Sequence, residues 1–171
     1  MIRATFVGDK ISSNSKAAQE LFSNQRFGEK SDEKIIYSLA EALFLVESKK
    51  INIYDHKDKK ISKKKLLARF QKISKKFKTN YSVFKDLRKR GYIVKTALKF
   101  GAEFRVYEKK AQVGKQHAKW ILFPVDEHSA LTWHDFSAKN RVAHSTKKNL
   151  LIAIVDDEGD VSYYEVSWIK P

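Results

Sequence analysis

The sequence predicts an α/β protein of mixed α+β character: a small N-terminal α/β domain over residues 1–78, and a C-terminal domain over 79–171 in which helices flank a mixed sheet. Three observations lead there. Short segments of alternating apolar and polar residues recur along the chain, stretches at helical spacing interrupt them, and a strongly basic segment ends near residue 78, where the pattern breaks. With 42% of its 171 residues hydrophobic and 12% aromatic, the chain can bury one ordinary core or two small ones.

Residues 2–7 alternate and run into Gly8-Asp9, which predicts a hairpin. Ser38 and Glu41 stand at the spacing of a capping box and open a helix over 40–46, and residues 51–54 read as a strand. Ser62 is the expected N-cap of a helix on which Leu66, Leu67, Phe70, Ile73 and Phe77 recur at helical spacing, leaving a basic outer face. Thr79-Asn80 reads as a break, after which Val83, Phe84 and Leu87 give a short helix stopped by Gly91. Strand patterns follow at 92–96, 103–108, 119–124, 150–155 and 161–169, with one helix inside 132–147.

The 35 Lys plus Arg against 20 Asp plus Glu give a net charge of +15, which raises the local concentration of polyanions and points to nucleic acid. Residues 57–78 hold eleven basic side chains and one acid, Asp58, for a local charge of +10. A membrane partner is disfavoured, since apolar runs such as 150–155 fall far short of the ~20 residues that span a bilayer. The N-terminus lacks the apolar segment of a signal peptide, so an intracellular, cytoplasmic location is expected.

Zero cysteines exclude disulfides, thiolate metal sites and a cysteine nucleophile. His56, His117, His128, His134 and His144 show no paired-ligand spacing, so neither a metal nor another cofactor is expected. Asp156, Asp157, Glu158 and Asp160 surround Gly159 between two strands, as a solvated hairpin or as a carboxylate cluster for Mg²⁺. The strand after it carries Tyr163, Tyr164, Val166 and Trp168 on both faces, which suits burial at a subunit interface.

Four dispersed motifs carry a resemblance. Arg90-Gly91-Tyr92-Ile93-Val94-Lys95-Thr96, then Lys99-Phe100-Gly101-Ala102-Glu103-Phe104-Arg105-Val106-Tyr107, then His117, then Arg141-Val142-Ala143-His144-Ser145 before Lys148 resemble, in order and spacing, the catalytic domain of archaeal tRNA-splicing endonucleases. The similarity runs from about residue 81 to the C-terminus, and more weakly through 38–47. It implies a nuclease domain with an active site of Tyr107, His117 and Lys148. In-line attack of a ribose 2′-hydroxyl on the adjacent phosphate needs a base, an acid at the departing 5′-oxygen and positive charge beside the transition state, and the resemblance gives these roles to the three in that order. Imidazoles as a class titrate near neutrality, whereas an ordinary phenol holds its proton and needs positive charge nearby, such as Lys148, to act as base.

Lys147 offers the same chemistry as its neighbour, and the family register selects Lys148. Arg141 matches an arginine that stacks on a base flipped from the RNA bulge, a task suited to a planar guanidinium. It lies seven residues before Lys148, so if both are helical they share a face. The family's second stacking arginine has no counterpart here; Tyr163 and Tyr164 lie on the strand where it is sought.

The resemblance further implies that Asp156, Asp157, Glu158 and Asp160 dock into a basic cleft of a neighbouring subunit and that Tyr164 and Trp168 lie at an interface, in a homotetramer or paired with a related structural subunit. The implied substrate is precursor tRNA, cut at bulge–helix–bulge intron boundaries without metal to leave a 2′,3′-cyclic phosphate and a 5′-hydroxyl. Two alternatives stand beside it: a non-catalytic, tRNA-binding structural subunit, and a metal-dependent nuclease using Asp156, Asp157 or Asp160.

Overall fold

Buried Ile2, Ala4 and Phe6 alternate with exposed Arg3, Thr5 and Val7 to make strand β1 (Ile2–Val7), which turns through Gly8 and pairs antiparallel with β2 (Lys10–Ser13). Helix α1 (Lys16–Gln25) starts where the Ser15 side chain accepts the Ala18 N–H, and β3 (Glu29–Ser31) and β4 (Lys34–Tyr37) form a hairpin behind it. Helix α2 (Leu39–Glu47) opens with the capping box of Ser38 and Glu41, β5 (Ile51–Tyr54) pairs parallel with β1, and α3 (Lys63–Ile73) begins at Ser62. The strand order β3-β4-β2-β1-β5 is a mixed sheet, made so by the β1–β5 pair.

The computed structural model describes all 171 residues and divides into two units, Met1–Lys78 and Thr79–Pro171. No helix is long and apolar enough to cross a membrane. In the first unit Ile11, Ile35, Leu43, Ile53, Leu66 and Phe70 are fully buried, with Phe70 edge-on to Phe6 and Phe77. Ile73, expected on that packed face, is 48% exposed, because the last turn of α3 runs past the sheet-facing cluster. Residues 14–37 offered no readable pattern: α1 buries only Ala18 and Leu21, too few to set a period.

Helix α4 (Phe77–Lys89) runs straight through Thr79 and Asn80, where a break was expected. The interruption instead follows Ser74, whose extended backbone caps α3. Asn80 is a poor helix former in isolation, but its amide donates to Glu103 at 3.1 Å, a tertiary bond that offsets the local preference. The helix closes on Gly91 at φ +90°, with the Tyr92 and Gly91 N–H groups returning to Leu87 and Arg88.

The second sheet is built from β6 (Ile93–Thr96), β7 (Phe104–Tyr107), β8 (Trp120–Asp126), β9 (Asn149–Val155) and β10 (Val161–Val166), in the order β10-β9-β8-β7-β6. Strands β8 and β9 are parallel, joined through helix α5 (Trp133–Ser145), and the other pairs are antiparallel, so this sheet too is mixed. Ile121, Phe123, Leu150, Ile152 and Ala143 share one core on which Phe136 and Val142 of α5 pack.

The last strand is shorter than the 161–169 stretch expected of it. It ends at Val166 and forms the sheet edge, so Tyr164 is 55% and Trp168 62% exposed. Tyr163 faces inward: its hydroxyl donates to Asp86 at 2.7 Å, and burial, more than that bond, pushes its pKa up.

Candidate active site

The last residue of β7 and the segments before β8 and β9 meet at one end of the second sheet. The Lys119 N–H donates to Val106 at 2.9 Å and the Asn149 N–H donates to Lys119 at 3.0 Å, so Lys119 lies between the end of β7 and the start of β9. Tyr107 closes β7, His117 stands two residues before Lys119, and Lys148 immediately precedes β9. At a strand spacing of ~4.8 Å, Tyr107 and Lys148 sit on backbones ~10 Å apart, with the segment that leads from His117 into β8 between them. All three predicted residues therefore emerge from one strand end.

The Tyr107 ring is 5% exposed, packed on the side of β7 that also carries Arg105, whose guanidinium lies 6.0 Å from the ring centre. The Tyr107 hydroxyl is not among the buried polar atoms that lack a hydrogen-bond partner. His117 is exposed on the loop joining β7 to β8. Arg105, quoted in the motif but given no role there, places a permanent positive charge beside the tyrosine.

Lys148 owes its direction to the end of α5. Thr146 caps the helix, Lys147 takes the left-handed conformation at φ +54°, and the Lys147 and Lys148 N–H groups return to His144 and Ala143. After this reversal Lys147 is exposed, while Lys148 is half-buried, its Nζ donating to the Thr146 carbonyl at 2.8 Å and lying 5.8 Å from the Phe100 ring. Arg141 is on the helix and Lys148 lies beyond its end, so the condition for a shared helical face is not met.

Glu165 of β10 braces this end. Its carboxylate accepts from Trp120 Nε1 at 2.6 Å and from Asn149 Nδ2 at 2.7 Å, tying together the first residues of β8 and β9, the strands that follow His117 and Lys148. Arg141 lines a separate groove of ≈ 590 Å³ with Phe136, His144, Val166, Trp168 and Ile169, in which the His144 and Trp168 rings lie 4.8 Å apart.

The acidic loop is partly tied down within the chain. Asp156 accepts the N–H groups of Glu158 and Asp160 at 3.0 and 2.8 Å, holding the turn at Gly159. Asp157 donates its N–H to Glu127 at 2.9 Å and accepts from His128 at 3.1 Å, while Glu158 and Asp160 are exposed. The Asp157 bond and charge, aided by Glu127, raise the His128 pKa. Ligand atoms of Glu127, His128 and Asp157 thus lie within 4.8 Å of one another, as do those of Asp156, Glu158 and Asp160. The first grouping joins residues some thirty positions apart, a proximity no sequence spacing displays.

Comparison with known proteins agrees across both units. Residues 2–67 match the tRNA intron endonuclease N-terminal domain, and residues 77–163 match the tRNA intron endonuclease catalytic C-terminal domain. The chain is 43% identical over 164 residues to a tRNA-splicing endonuclease of Pyrococcus horikoshii, covering 95% of this chain and 94% of that protein. It is 41% identical over 139 residues to a tRNA-splicing endonuclease of Nanoarchaeum equitans (78% and 88% covered) and 36% identical over 154 residues to one of Methanothermobacter thermautotrophicus (90% and 89% covered). With its N-terminal and catalytic domains both matched, the chain belongs to the tRNA intron endonuclease family of endoribonucleases.

Proposed function

We propose that this protein is the catalytic subunit of a tRNA-splicing endonuclease that cuts precursor tRNA at bulge–helix–bulge intron boundaries, using the RNA's own 2′-hydroxyl and no metal. The observation that carries this reading is the emergence of Tyr107, His117 and Lys148 from one end of three adjacent strands. Tyr107 accepts the 2′-hydroxyl proton, the 2′-oxygen bonds to phosphorus, and His117 protonates the 5′-oxygen as its bond to phosphorus breaks. The products are a 2′,3′-cyclic phosphate and a 5′-hydroxyl. Lys148 offsets the charge that grows on the non-bridging oxygens, and Arg105 adds fixed positive charge beside Tyr107.

Arg141, exposed on α5, stacks on a bulge base, with the Trp168 ring in the same groove. Exposed Tyr164 and Trp168, with the tip of the acidic loop, are the surfaces for assembly into a homotetramer or with a related structural subunit. A metal-dependent reading is favoured only by the two carboxylate groupings of the 126–128 and 156–160 loops.

One experiment separates the two. Under single-turnover conditions in EDTA, cleavage of a bulge-containing RNA should proceed, and a 2′-deoxy substitution at the scissile nucleotide should abolish it. Normal cleavage of the deoxy substrate ends the proposed chemistry, and loss of all cleavage in EDTA hands the reaction to a metal.

A further inference from the structure

Two-thirds of the chain's net charge of +15 resides in residues 57–78 of the first unit, far along the sequence from Tyr107, His117 and Lys148. Helix α3 fixes the geometry of much of it. Leu66 and Phe70 are fully buried, Phe70 against Phe6 and Phe77, which fixes the rotation of the helix and holds its other side toward solvent. Along the exposed side Lys65, Arg69 and Lys72 recur at i, i+4 and i+7 at about 5 Å per turn, with Arg69 flanking the buried face, Lys64 beside them and Lys75 and Lys76 following; all six are exposed.

The acids near this face are each held by another bond, and only the Asp55 charge also acts on the ridge, at Arg69. Asp58 pairs with Arg3, Glu47 with Lys63 at 3.0 Å, and Asp55 accepts the backbone N–H groups of Lys57 and Lys59, bonds that hold its pKa below the usual carboxylate range. Arg69 lies 5.9 Å from the Phe6 ring, which restrains its stem, and Lys64, Lys65, Lys72, Lys75 and Lys76 make no ion pair in the chain.

The arrangement also works against the helix that bears it. The first turn of α3 carries Lys63, Lys64 and Lys65 and no acid, although the positive end of a helix dipole favours carboxylates there. Lys63 is offset by its pair with Glu47, but Lys64 and Lys65 have no such partner, and a conflict between local preference and sequence marks a position used for something else. An anionic lipid surface is a poor fit, since the apolar side of α3 is spent in the core and only Ile73 stands exposed beside the lysines.

We propose that the Lys64, Lys65, Arg69, Lys72, Lys75 and Lys76 ridge of the N-terminal domain is a second RNA-contacting surface, which grips the phosphodiester backbone of a helical part of the substrate by charge and spacing. This rests on the reading that the substrate is RNA, but on no detail of the cleavage chemistry. It supplies affinity without touching the scissile phosphate, through the release of counterions that accompanies each phosphate neutralised.

The test compares full-length wild type with two triple variants of equal charge: Lys64→Gln, Lys65→Gln, Lys72→Gln on the ridge, and Lys10→Gln, Lys30→Gln, Lys34→Gln on exposed strand positions of the same unit. Dissociation constants for a bulge-free RNA duplex and for an intron-containing precursor-tRNA transcript are measured against salt. The ridge variant should bind both RNAs ~10- to 100-fold more weakly near 0.15 M salt, with a salt slope shallower by about two to three, while the strand variant changes little. Its single-turnover cleavage rate at saturating RNA should equal that of wild type. Glutamine is a good helix former, and removing Lys64 and Lys65 from the positive helix end offsets the loss of Lys72 from the last turn, so circular dichroism and melting should show an intact fold.

Equal weakening in both variants would reduce the ridge to bulk charge, and unchanged slopes would remove it from the RNA altogether. A ridge variant that loses binding only to phosphatidylserine vesicles, with duplex affinity intact, would transfer the surface to a membrane and overturn the proposal. Failure of wild type to cleave any bulge RNA would instead strike the proposed function, leaving the duplex measurement standing.

Discussion

Lys147 and Lys148 are adjacent in sequence but leave the chain in different environments: the left-handed turn at Lys147 exposes that side chain, and Lys148 folds back so that its ammonium meets the Thr146 carbonyl 2.8 Å away beside Phe100. In the proposed mechanism only Lys148 serves the phosphate. Lys148→Ala should lose about 3 kcal/mol of transition-state stabilisation, and Lys147→Ala should be nearly silent. Lys147→Gly relieves a positive-φ position and should leave cleavage intact while matching or slightly exceeding wild-type stability. Single-turnover rates with equal losses at both lysines would show that only bulk charge matters.

His117→Ala should slow the chemical step by ~10²- to 10⁴-fold with little change in RNA affinity, since an exposed loop imidazole acting as general acid contributes to the transition state and not to binding. Rates and dissociation constants measured on the same RNA check both halves. An unchanged rate would take His117 out of the site.

The His128 to Asp157 contact predicts a pH dependence of known sign. Because Asp157 raises the folded pKa of His128, the pair's contribution to stability is fully present below the unfolded histidine value of about 6.5 and is lost as pH rises through the raised folded value. An NMR titration of the His128 ring should give an elevated midpoint that falls toward the ordinary range in Asp157→Asn. A midpoint insensitive to that substitution would mean the two side chains do not meet in solution.

The same contact decides how the acidic loop is best probed. Asp156 holds the turn and Asp157 holds His128, so Glu158 and Asp160 are the acids whose reversal leaves the loop's own bonds in place. If the loop docks into a basic cleft of a neighbouring subunit, Glu158→Lys with Asp160→Lys should leave the chain folded but shift it to a smaller species with reduced activity, because like charges then face each other. Light scattering that finds an unchanged mass with full activity would make the loop a solvated turn.

Glu41 is the clearest single determinant of the N-terminal domain. It is 3% exposed, and its carboxylate accepts from the Gly28 N–H at 2.9 Å and from the Ser38 N–H and hydroxyl at 3.0 Å each, so it caps α2 and satisfies a buried backbone donor together. Glu41→Ala should destabilise the protein by ~2–4 kcal/mol in denaturant titrations, and Glu41→Gln, which keeps an acceptor, by less. Gly28→Ala should also destabilise, because at φ +78° an added Cβ would strike Ile35. A Glu41→Ala protein as stable as wild type would show that water replaces these bonds.

What the sequence determined by itself were features whose causes lie within a few residues. The alternation of Ile2–Val7 and its glycine turn, the Ser38–Glu41 box, the Ser62 cap and the stop at Gly91 all depend on neighbours at i+2 to i+5, and all are readable in order along the chain. The Thr132–Asp135 box that opens α5 was equally local and passed unread, because it uses aspartate at the place where glutamate is the stronger signal. Only the tertiary structure decided the rest. Helix α4 persists through Thr79 and Asn80 because Glu103, twenty-three residues on, takes the amide; Tyr163 turns inward because Asp86 and burial favour it; and Glu127 and His128 reach Asp157 because parallel β8 and β9 end side by side. Each of these rests on a bond between residues far apart in sequence, whose strength depends on burial and geometry that exist only once the sheets have formed.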